Sequence, residues 1–422
     1  MEASEWVVTI RRGVNELDGD ILAAAFGLIK RTKGEWQLFP AFASKGHGGL
    51  GEIAIHADML GGSEDEWFKM THEYASTLVS LHMHDYVESY RHLSLAFTRL
   101  LSLFASESTA WMMPLLHQTI FDASAVASLA DTSGPVGSHT HLRDCSEKLQ
   151  KAFSSSFNHR SDAEGNAIGP DSEECKQRGV VYIVVSSFKL YFKMGNLRPC
   201  KNLVSAVESQ RGRAPALLEC GYIPKADVVT FRFYKGRLCV YEDKYTEAMK
   251  ELDFALQHCA SGAYNNKRRI LSYLIPLKIC HGALPSQSLL DKYKFVEFKE
   301  ITAAVRSGNI GQFNTALQTF LDIFIRMGTY LVLEKAKSLL HRNLIKLVIR
   351  LEGGGSLLKL EKVEAAFHMV GESMSLDEIE CIIANLIYNQ YIKGYISHEK
   401  RTLVLSKNDP FPFASVKSMR GS

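Results

Sequence analysis

The sequence is poor in the features that mark secreted, disulfide-bonded or membrane-spanning proteins. It holds eight cysteines in 422 residues, and no two of them form a C-x-x-C pair. A secretory leader has a basic segment followed by an apolar one, and the first residues of this sequence show no such pattern. No apolar run approaches the roughly 20 residues that a helix needs to cross a bilayer. These absences predict an intracellular chain with no membrane span and reduced thiols.

Charge of one sign is also missing. The chain has 49 Lys and Arg against 46 Asp and Glu, which gives a formal net charge of +3. A nearly neutral protein cannot attract nucleic acid through its overall charge, so any such contact requires local clusters of cations. Hydrophobic residues make up 46% of the chain, enough to bury a large core. At this length we expect several domains or one continuous superhelix.

Phosphate-binding and catalytic motifs are absent as well. The glycine-rich stretch at 45–51 has no following Lys-Ser/Thr, so we expect a flexible connection there and not a phosphate loop. Cys145 near His139 and His141, and the pair His82 and His84, lack a recognisable third partner for catalysis or metal binding. The sequence therefore predicts no enzyme, no cofactor and no metal site.

What the sequence does contain is helical periodicity. Apolar residues recur at helical spacing in 18–30 and 67–104, and residues 157–178 are polar and predict a mobile loop. The all-round apolar stretch 180–194 favours a buried helix, with a buried strand as the alternative. Five cysteines recur at intervals of about one helix plus a turn, and the alternative to this architectural interpretation is a metal or redox ladder: Cys200, Cys220, Cys239, Cys259 and Cys280.

Paired antiparallel helices are predicted between 226 and 282. Tyr245, Ala248, Leu252 and Ala255 have the spacing of the second helix of a tetratricopeptide-type repeat. A helix from Lys267 is expected to end at Pro276, and further helices are expected at 295–306, 310–326 and 327–351.

The last quarter of the chain has the order of elements of a winged helix. On the predicted helix 333–351, Lys335, Arg342, Lys346 and Arg350 share one face, which is either a phosphate-contacting stripe or a solvated surface. A helix at 358–370 follows. Ser375 and Glu378 then form a capping box at the start of the next helix.

Further cations cluster around the predicted strand-turn-strand at 395–405, namely Lys393, His398, Lys400 and Arg401. The helix in the position of a recognition helix begins instead with Asp377, Glu378 and Glu380, which would repel a major groove. The sequence therefore predicts a clamp on the nucleic-acid backbone, without base readout, formed by the first basic helix and the wing.

Many separated motifs resemble the PCI-domain-containing family of the TREX-two complex. They lie at 233–237, 241–245, 266–271, 273–276, 330–335, 342–344, 384–388, 393–398 and 406–412, so the resemblance covers roughly 178–413. A relative associated with the COP9 signalosome shares them and is the alternative. The resemblance implies an all-α, tetratricopeptide-like superhelix at 178–340 and a winged helix at 341–413, after a helical region at 1–177 and before a flexible tail at 414–422.

The resemblance also implies partners and a location. They are a large GANP/Sac-type scaffold, a small acidic Sem/DSS-type protein and an RNA or DNA backbone, in a nuclear complex that links transcription to mRNA export at the pore. Lys267, Arg268 and Arg269 are candidates for binding the acidic partner, and a solvated helix start is the alternative. The competing function is a PCI scaffold of the COP9, proteasome-lid or translation-initiation type that acts through protein contacts alone.

Overall fold

The computed structural model describes residues 2–30, 35–36, 41–135, 137–159, 172, 174–209, 218 and 221–412. The predicted tail at 414–422, Cys220 and most of the predicted loop at 157–178 lie outside these ranges. The chain divides into two compact units, Met1–Phe231 and Arg232–Ser422. The boundary that the sequence suggests between 177 and 178 lies inside the first unit.

The first unit is built from helices. They are α1 (Ala3–Asn15), α2 (Gly19–Phe26), α3 (His47–Ile55), α4 (Glu66–His82), α5 (Tyr86–Ser106), α6 (Met113–Ser133), α7 (Thr140–Phe157), α8 (Val180–Met194), α9 (Arg198–Glu208) and the start of α10 (Lys225–Tyr241). Short 3-10 helices lie at Ala41–Lys45, Ala57–Leu60 and Lys176–Gly179, and β1 (Ile29–Lys30) pairs antiparallel with β2 (Glu35–Trp36).

Two expectations for this unit need correction. The glycine-rich stretch is not a flexible connection, because it forms α3 after the 3-10 turn. Gly49 is required there, since a Cβ would lie 2.0 Å from the carbonyl oxygen of Phe42. The described end of the predicted loop is also ordered: Lys176 is buried and its ammonium donates to the carbonyl oxygen of Glu107 at 2.7 Å.

The buried helix predicted at 180–194 is confirmed as α8, so the strand alternative is wrong.

A buried carboxylate joins distant segments of the first unit. Asp122 on α6 accepts hydrogen bonds from the backbone N–H groups of Leu28 at 2.9 Å and Ile29 at 3.1 Å. Gln118 Nε2 donates to it at 3.1 Å, and the Tyr74 hydroxyl donates at 3.2 Å. The carboxylate thus satisfies backbone donors that would otherwise be buried without an acceptor.

The second unit continues with helix pairs and ends in a small sheet. Its elements after α10 are α11 (Tyr245–His258), α12 (Tyr264–Cys280), α13 (Gln287–Lys292), α14 (Val296–Ser307), α15 (Ile310–Thr319), α16 (Leu321–Met327), α17 (Tyr330–Lys335), α18 (Lys337–Leu351), β3 (Leu357–Lys359), α19 (Leu360–Met369), α20 (Leu376–Tyr388), β4 (Gly394–Ser397) and β5 (Thr402–Leu405). The strands are antiparallel in the order β3-β5-β4.

The repeat-like helix pair is confirmed in its packing. Ala248, Leu252 and Ala255 on α11 are fully buried. Gly236 on α10 lets the two helices approach closely, because a Cβ there would lie 2.7 Å from Leu252 Cγ. Pro276 does not end α12, which continues to Cys280. The buried packing of α12 against α11 and α17 compensates for the backbone hydrogen bond that proline cannot donate.

Several predicted helices are divided. The expected helix at 310–326 breaks at Phe320 into α15 and α16, and the expected helix at 327–351 breaks at Ala336 into α17 and α18. The expected helix at 358–370 begins only at Leu360, because Leu357–Lys359 pair with β5 as a strand. With these changes the predicted fold class, a helical chain that ends in a winged helix, is confirmed. None of the helices in the described ranges is long and apolar enough to span a membrane.

Replacing the buried carboxylate tests the core of the first unit. Asp122→Ala removes the acceptor of the Leu28 and Ile29 N–H groups and of the Tyr74 hydroxyl, so we expect the free energy of unfolding to fall by about 3 kcal/mol. Urea denaturation measures this loss of stability, and hydrogen exchange at the Leu28 and Ile29 amides should be faster in the variant. The control is Asp58→Ala, at an exposed carboxylate. Equal stability of the two variants would contradict the stabilising role of the Asp122 hydrogen bonds.

Candidate nucleic-acid interface

The first basic helix of the winged helix is shorter than the sequence suggests, and its stripe of cations loses one member. Lys335 ends α17 and lies against α11, where its ammonium contacts the hydroxyl of Tyr245 at 3.0 Å and the Asp243 carboxylate at 3.4 Å. The break at Ala336 therefore removes Lys335 from the face of α18. The cations that remain on this helix face are Arg342, Lys346 and Arg350.

Arg342 makes contacts within the chain. Its Nη2 donates to the carbonyl oxygens of Phe411 at 2.8 Å and Pro412 at 3.0 Å, and its Nε donates to that of Tyr391 at 3.3 Å. The planar guanidinium can hold several acceptors at once. It thereby ties α18 to the loop before β4 and to the segment after β5. This half-buried group has a structural role, so we do not retain Arg342 as a phosphate contact.

Lys346 and Arg350 form the open part of the stripe. The Lys346 ammonium lies 5.8 Å from the centre of the Phe411 ring, and Arg350 is exposed. Burial lowers the pKa of Lys346, and the positive charges of Arg342 and Arg350 lower it further. These neighbouring cations repel one another, and a phosphate group placed among them would relieve that repulsion.

The wing is held by the acidic start of α20. Arg401 Nη1 lies 2.6 Å from Asp377 Oδ1 and 2.9 Å from Glu380 Oε2, and His398 Nδ1 lies 2.9 Å from Glu380. The acids that would repel a major groove thus bind two of the cations predicted to attract phosphate. Arg401 and His398 are therefore not freely available to a ligand.

The remaining wing cations point to solvent. Lys400 at the turn between β4 and β5 is exposed, next to exposed Glu399. Lys393 precedes β4 and is exposed too, with its ammonium 4.0 Å from Asp409. Of the seven cations predicted to bind nucleic acid, the structure thus leaves Lys346, Arg350, Lys393 and Lys400 accessible.

The predicted capping box of α20 is confirmed. Ser375 Oγ accepts from the Glu378 N–H at 3.4 Å, and the Glu378 carboxylate accepts from the Ser375 N–H at 2.8 Å. These bonds from Ser375 lower the pKa of Glu378. Sequence reasoning missed the role of Phe411, whose ring lies beside Arg342 and Lys346. The signal was the Pro-Phe-Pro motif at 410–412, which fixes a rigid segment after the last strand.

The residues considered for catalysis lie in other surroundings. Cys145 is fully buried, and burial raises the pKa of its thiol to about 12. His141 Nδ1 contacts Asp131 at 2.7 Å. Within the described ranges, no group of three or more His, Cys, Asp or Glu side chains is placed to hold a metal ion.

The three candidates for an acidic partner lie at the start of α12. Arg269 is exposed, whereas Lys267 and Arg268 are partly buried. Arg268 Nε donates to the carbonyl oxygen of Tyr293 at 2.9 Å, and its Nη2 lies 3.6 Å from Glu297. Arg268 is therefore held by contacts within the chain, whereas Lys267 and Arg269 are less constrained.

The helix pairs and the terminal winged helix define the class of protein, and a comparison with known families agrees. The family model described as the PCI domain matches residues 317–407, from α15 to just beyond β5. The sequence is 36% identical over 331 residues to PCI domain-containing protein 2 of Xenopus laevis, covering 78% of this chain and 80% of that protein. The chain belongs to the PCI domain-containing protein family.

Other relatives broaden this likeness. Enhanced ethylene response protein 5 of Arabidopsis thaliana is 32% identical over 354 residues, covering 81% of this chain and 80% of that protein. The protein CSN12 homolog of Neurospora crassa is 33% identical over 294 residues, covering 65% of this chain and 62% of that protein. The alignment of 331 residues is longer than the segment 178–422. The similarity therefore extends into the N-terminal half, beyond the range 178–413 in which the motifs of the resemblance lie. Assignment to the TREX-two complex stays a prediction.

Changing Arg342 tests its structural role without changing net charge. Arg342→Lys keeps the positive charge but has one nitrogen in place of the separate Nε and Nη2 that contact Tyr391 and the segment 411–412, so we expect the free energy of unfolding to fall by about 2 kcal/mol. Urea denaturation measures this loss. Arg350→Lys, on the same helix and exposed, is the control and should remain within about 0.5 kcal/mol of the original chain. A loss for neither variant would show that the guanidinium bonds do not stabilise the winged helix.

His341 makes the stability of this unit depend on pH. Burial, aided by the charge of Lys337, lowers the pKa of His341 from 6.5 to about 4, and its ring lies 5.5 Å from that of Phe367. Below pH 6.5 the unfolded chain takes up a proton that the folded chain refuses, so stability is full above that pH and falls as the pH drops toward 4.

The measurement compares urea denaturation at pH 7.5 and pH 5.0. Between these values the original chain should lose about 2 kcal/mol more than His341→Phe, in which no group titrates at this position. An equal loss in both proteins would contradict the burial of a neutral imidazole.

Proposed function

We propose that the chain is a non-enzymatic scaffold subunit of a nuclear, TREX-two-type complex that couples transcription to mRNA export. In this proposal the winged helix contacts the backbone of RNA or DNA without reading its sequence. A GANP/Sac-type scaffold and a small acidic Sem/DSS-type protein are its protein partners, and the complex acts at or near the nuclear pore. Membership of the PCI family supports the scaffold role.

One observation supports the proposed contact with nucleic acid. The acids at the start of α20 are bound to Arg401 and His398. Lys346 and Arg350 lie together on α18 and form no close ion pair in the described chain, although Asp409 is near enough to Lys346 to offset part of the repulsion. Cations that repel one another gain the most from a phosphate, whereas base readout requires donors on the recognition helix. The exposed residues of α20 include no Lys or Arg. This arrangement favours a backbone contact.

The alternative is a PCI scaffold of the COP9-signalosome, proteasome-lid or translation-initiation type that uses protein contacts only. Two observations favour it. A relative carries the name CSN12 homolog. In the sheet, Leu357 and Tyr395 lie opposite Val404 from either side and are 66% and 63% exposed. Residues in register share one face of a sheet, so these side chains form an exposed apolar row that suits a protein neighbour.

Removing three of the four accessible cations, all except Lys393, distinguishes the two functions. In the variant Lys346→Ala, Arg350→Ala, Lys400→Ala, we expect the slope of log affinity against log salt to fall by about one for each cation that contacts a phosphate. Fluorescence anisotropy with labelled RNA and duplex DNA, at several salt concentrations, gives this slope. The full chain is measured alone and in the complex that co-purifies with it.

A matched control removes the same charge elsewhere. Lys225→Ala, Lys250→Ala, Arg326→Ala changes three exposed cations outside the winged helix and should leave the slope unchanged. If the two triple variants bind alike, the winged-helix clamp is wrong. If neither the original complex nor any variant binds nucleic acid with a salt-dependent affinity, the protein-only scaffold is the correct function.

A further inference from the structure

The wing tip, residues 398–401 between β4 and β5, is surrounded by carboxylates of the same chain. It contains two permanent cations, Lys400 and Arg401, and one carboxylate, Glu399. Two more carboxylates, from the start of α20, lie against it. Carboxylates therefore outnumber permanent cations here by three to two. This balance leaves the wing tip without the net positive charge that attracts a phosphate backbone.

Arg401 is the cation that the carboxylates of α20 hold. Its Nη1 lies 2.6 Å from Asp377 Oδ1 and 2.9 Å from Glu380 Oε2, and Glu380 also lies 2.9 Å from His398 Nδ1. The hydrogen bond with Asp377 is the largest cause of the raised pKa of Arg401. Carboxylate and phosphate oxygens bind a guanidinium in the same way. The two acids thus occupy a position on Arg401 that phosphate oxygens would take.

These ion pairs lie where a ligand can displace them. The side chain of Asp377 is 78% exposed and that of Arg401 is 35% exposed. Among the described residues, both hydrogen-bonded acids contact the same nitrogen of Arg401, Nη1, so neither has the two-point geometry that a guanidinium forms with phosphate. Exposed ion pairs of this kind contribute little stability. A phosphate that engages two nitrogens of Arg401 therefore replaces a weak contact with a stronger one.

The backbone of the wing tip is held by other bonds. The Arg401 N–H donates to the carbonyl oxygen of His398 at 3.1 Å, and the Arg401 carbonyl oxygen accepts from the Leu360 N–H at 2.9 Å. Thr402, the next residue, pairs with strands on both sides of β5. The side chain of Arg401 can therefore leave the carboxylates while the turn and the sheet keep their structure.

We infer that Asp377 and Glu380 form an autoinhibitory contact: they bind Arg401 in place of phosphate and lower the affinity of the winged helix for nucleic acid. A backbone phosphate at the wing tip displaces them and adds Arg401 to Lys400 as a contact. This inference rests on the proposed function, since it specifies how the same site is regulated. It gives the acids of α20 a second role besides support of the wing.

Removing the charge of both acids tests the inference. Asp377→Asn, Glu380→Gln keeps the size of the two side chains. Binding to labelled RNA and duplex DNA is measured by fluorescence anisotropy at several salt concentrations, in the complex that co-purifies with the chain. We expect the affinity at low salt to rise about fivefold or more. The slope of log affinity against log salt should become steeper by about one, because one more cation contacts a phosphate.

A matched control removes two nearby charges that do not hold Arg401. Glu361→Gln, Glu399→Gln changes two exposed carboxylates that form no ion pair among the described residues. Glu399 belongs to the wing tip, and Glu361 follows Leu360, whose N–H bonds to the Arg401 carbonyl oxygen. This variant should change the affinity less than about twofold and leave the salt slope unchanged.

A second comparison repeats the removal of the two acids in a chain that carries Arg401→Gln. With no guanidinium to release, Asp377→Asn, Glu380→Gln should then change the affinity less than about twofold. The single variant Asp377→Asn, at the more exposed acid, should give a smaller gain than the pair when Arg401 is present. These measurements separate release of one side chain from a general change in charge.

Two results would overturn the inference: equal gains for the acid pair and the matched control, or a full gain that persists with Arg401→Gln. If the original complex binds nucleic acid with a salt-dependent affinity and the acid-pair variant binds no better, only the autoinhibitory contact is wrong. If neither the original complex nor any variant binds in this way, the proposed function fails and the inference fails with it. Binding by the acid-pair variant alone would support the inference most strongly.

Discussion

The winged helix depends on the guanidinium of Arg342. It donates to carbonyl oxygens of Tyr391, Phe411 and Pro412, which come from two segments on either side of the β4-β5 hairpin. These segments lie near α18 only when the strands have paired. The three hydrogen bonds from this one side chain form only in the closed module, so they stabilise the closed form.

A second set of charges holds the hairpin from the other side. Arg401 and His398 in the wing bind Asp377 and Glu380 at the start of α20, while Ser375 and Glu378 cap that helix. The acids are thus part of the scaffold. Once they are paired, their repulsion of phosphate is reduced, and the helix that reads bases in other winged helices here supports the wing. What remains for a ligand is the cationic end of α18, the tip of the wing and the exposed apolar row of the sheet.

Much of this architecture could be predicted from the sequence because it depends on local patterns. The buried helix α8 follows from an all-round apolar stretch, the cap of α20 from Ser375 and Glu378, and the close helix pair from Ala248, Leu252 and Ala255. The glycines at 45–51 led to a wrong prediction, because a sequence alone does not distinguish a glycine required for close packing, as Gly49 is against Phe42, from a glycine in a flexible segment.

The candidate sites were harder to predict for a related reason. Sequence spacing identifies which cations share a helix face, but their partners come from distant segments. Arg342 meets residues some 50 to 70 positions away, and Arg401 meets acids more than 20 positions earlier. Long-range pairing of this kind leaves no periodic signal in a single sequence.

We propose that the protein holds nucleic acid by its backbone and not by its bases. The most direct test is to titrate the purified complex with several RNAs and DNA duplexes of unrelated sequence but equal length, each at several salt concentrations. For a backbone contact we expect affinities that agree within about threefold across sequences of one nucleic-acid type and fall steeply as salt increases. A strong preference for one sequence, or an affinity that salt does not change, would contradict it.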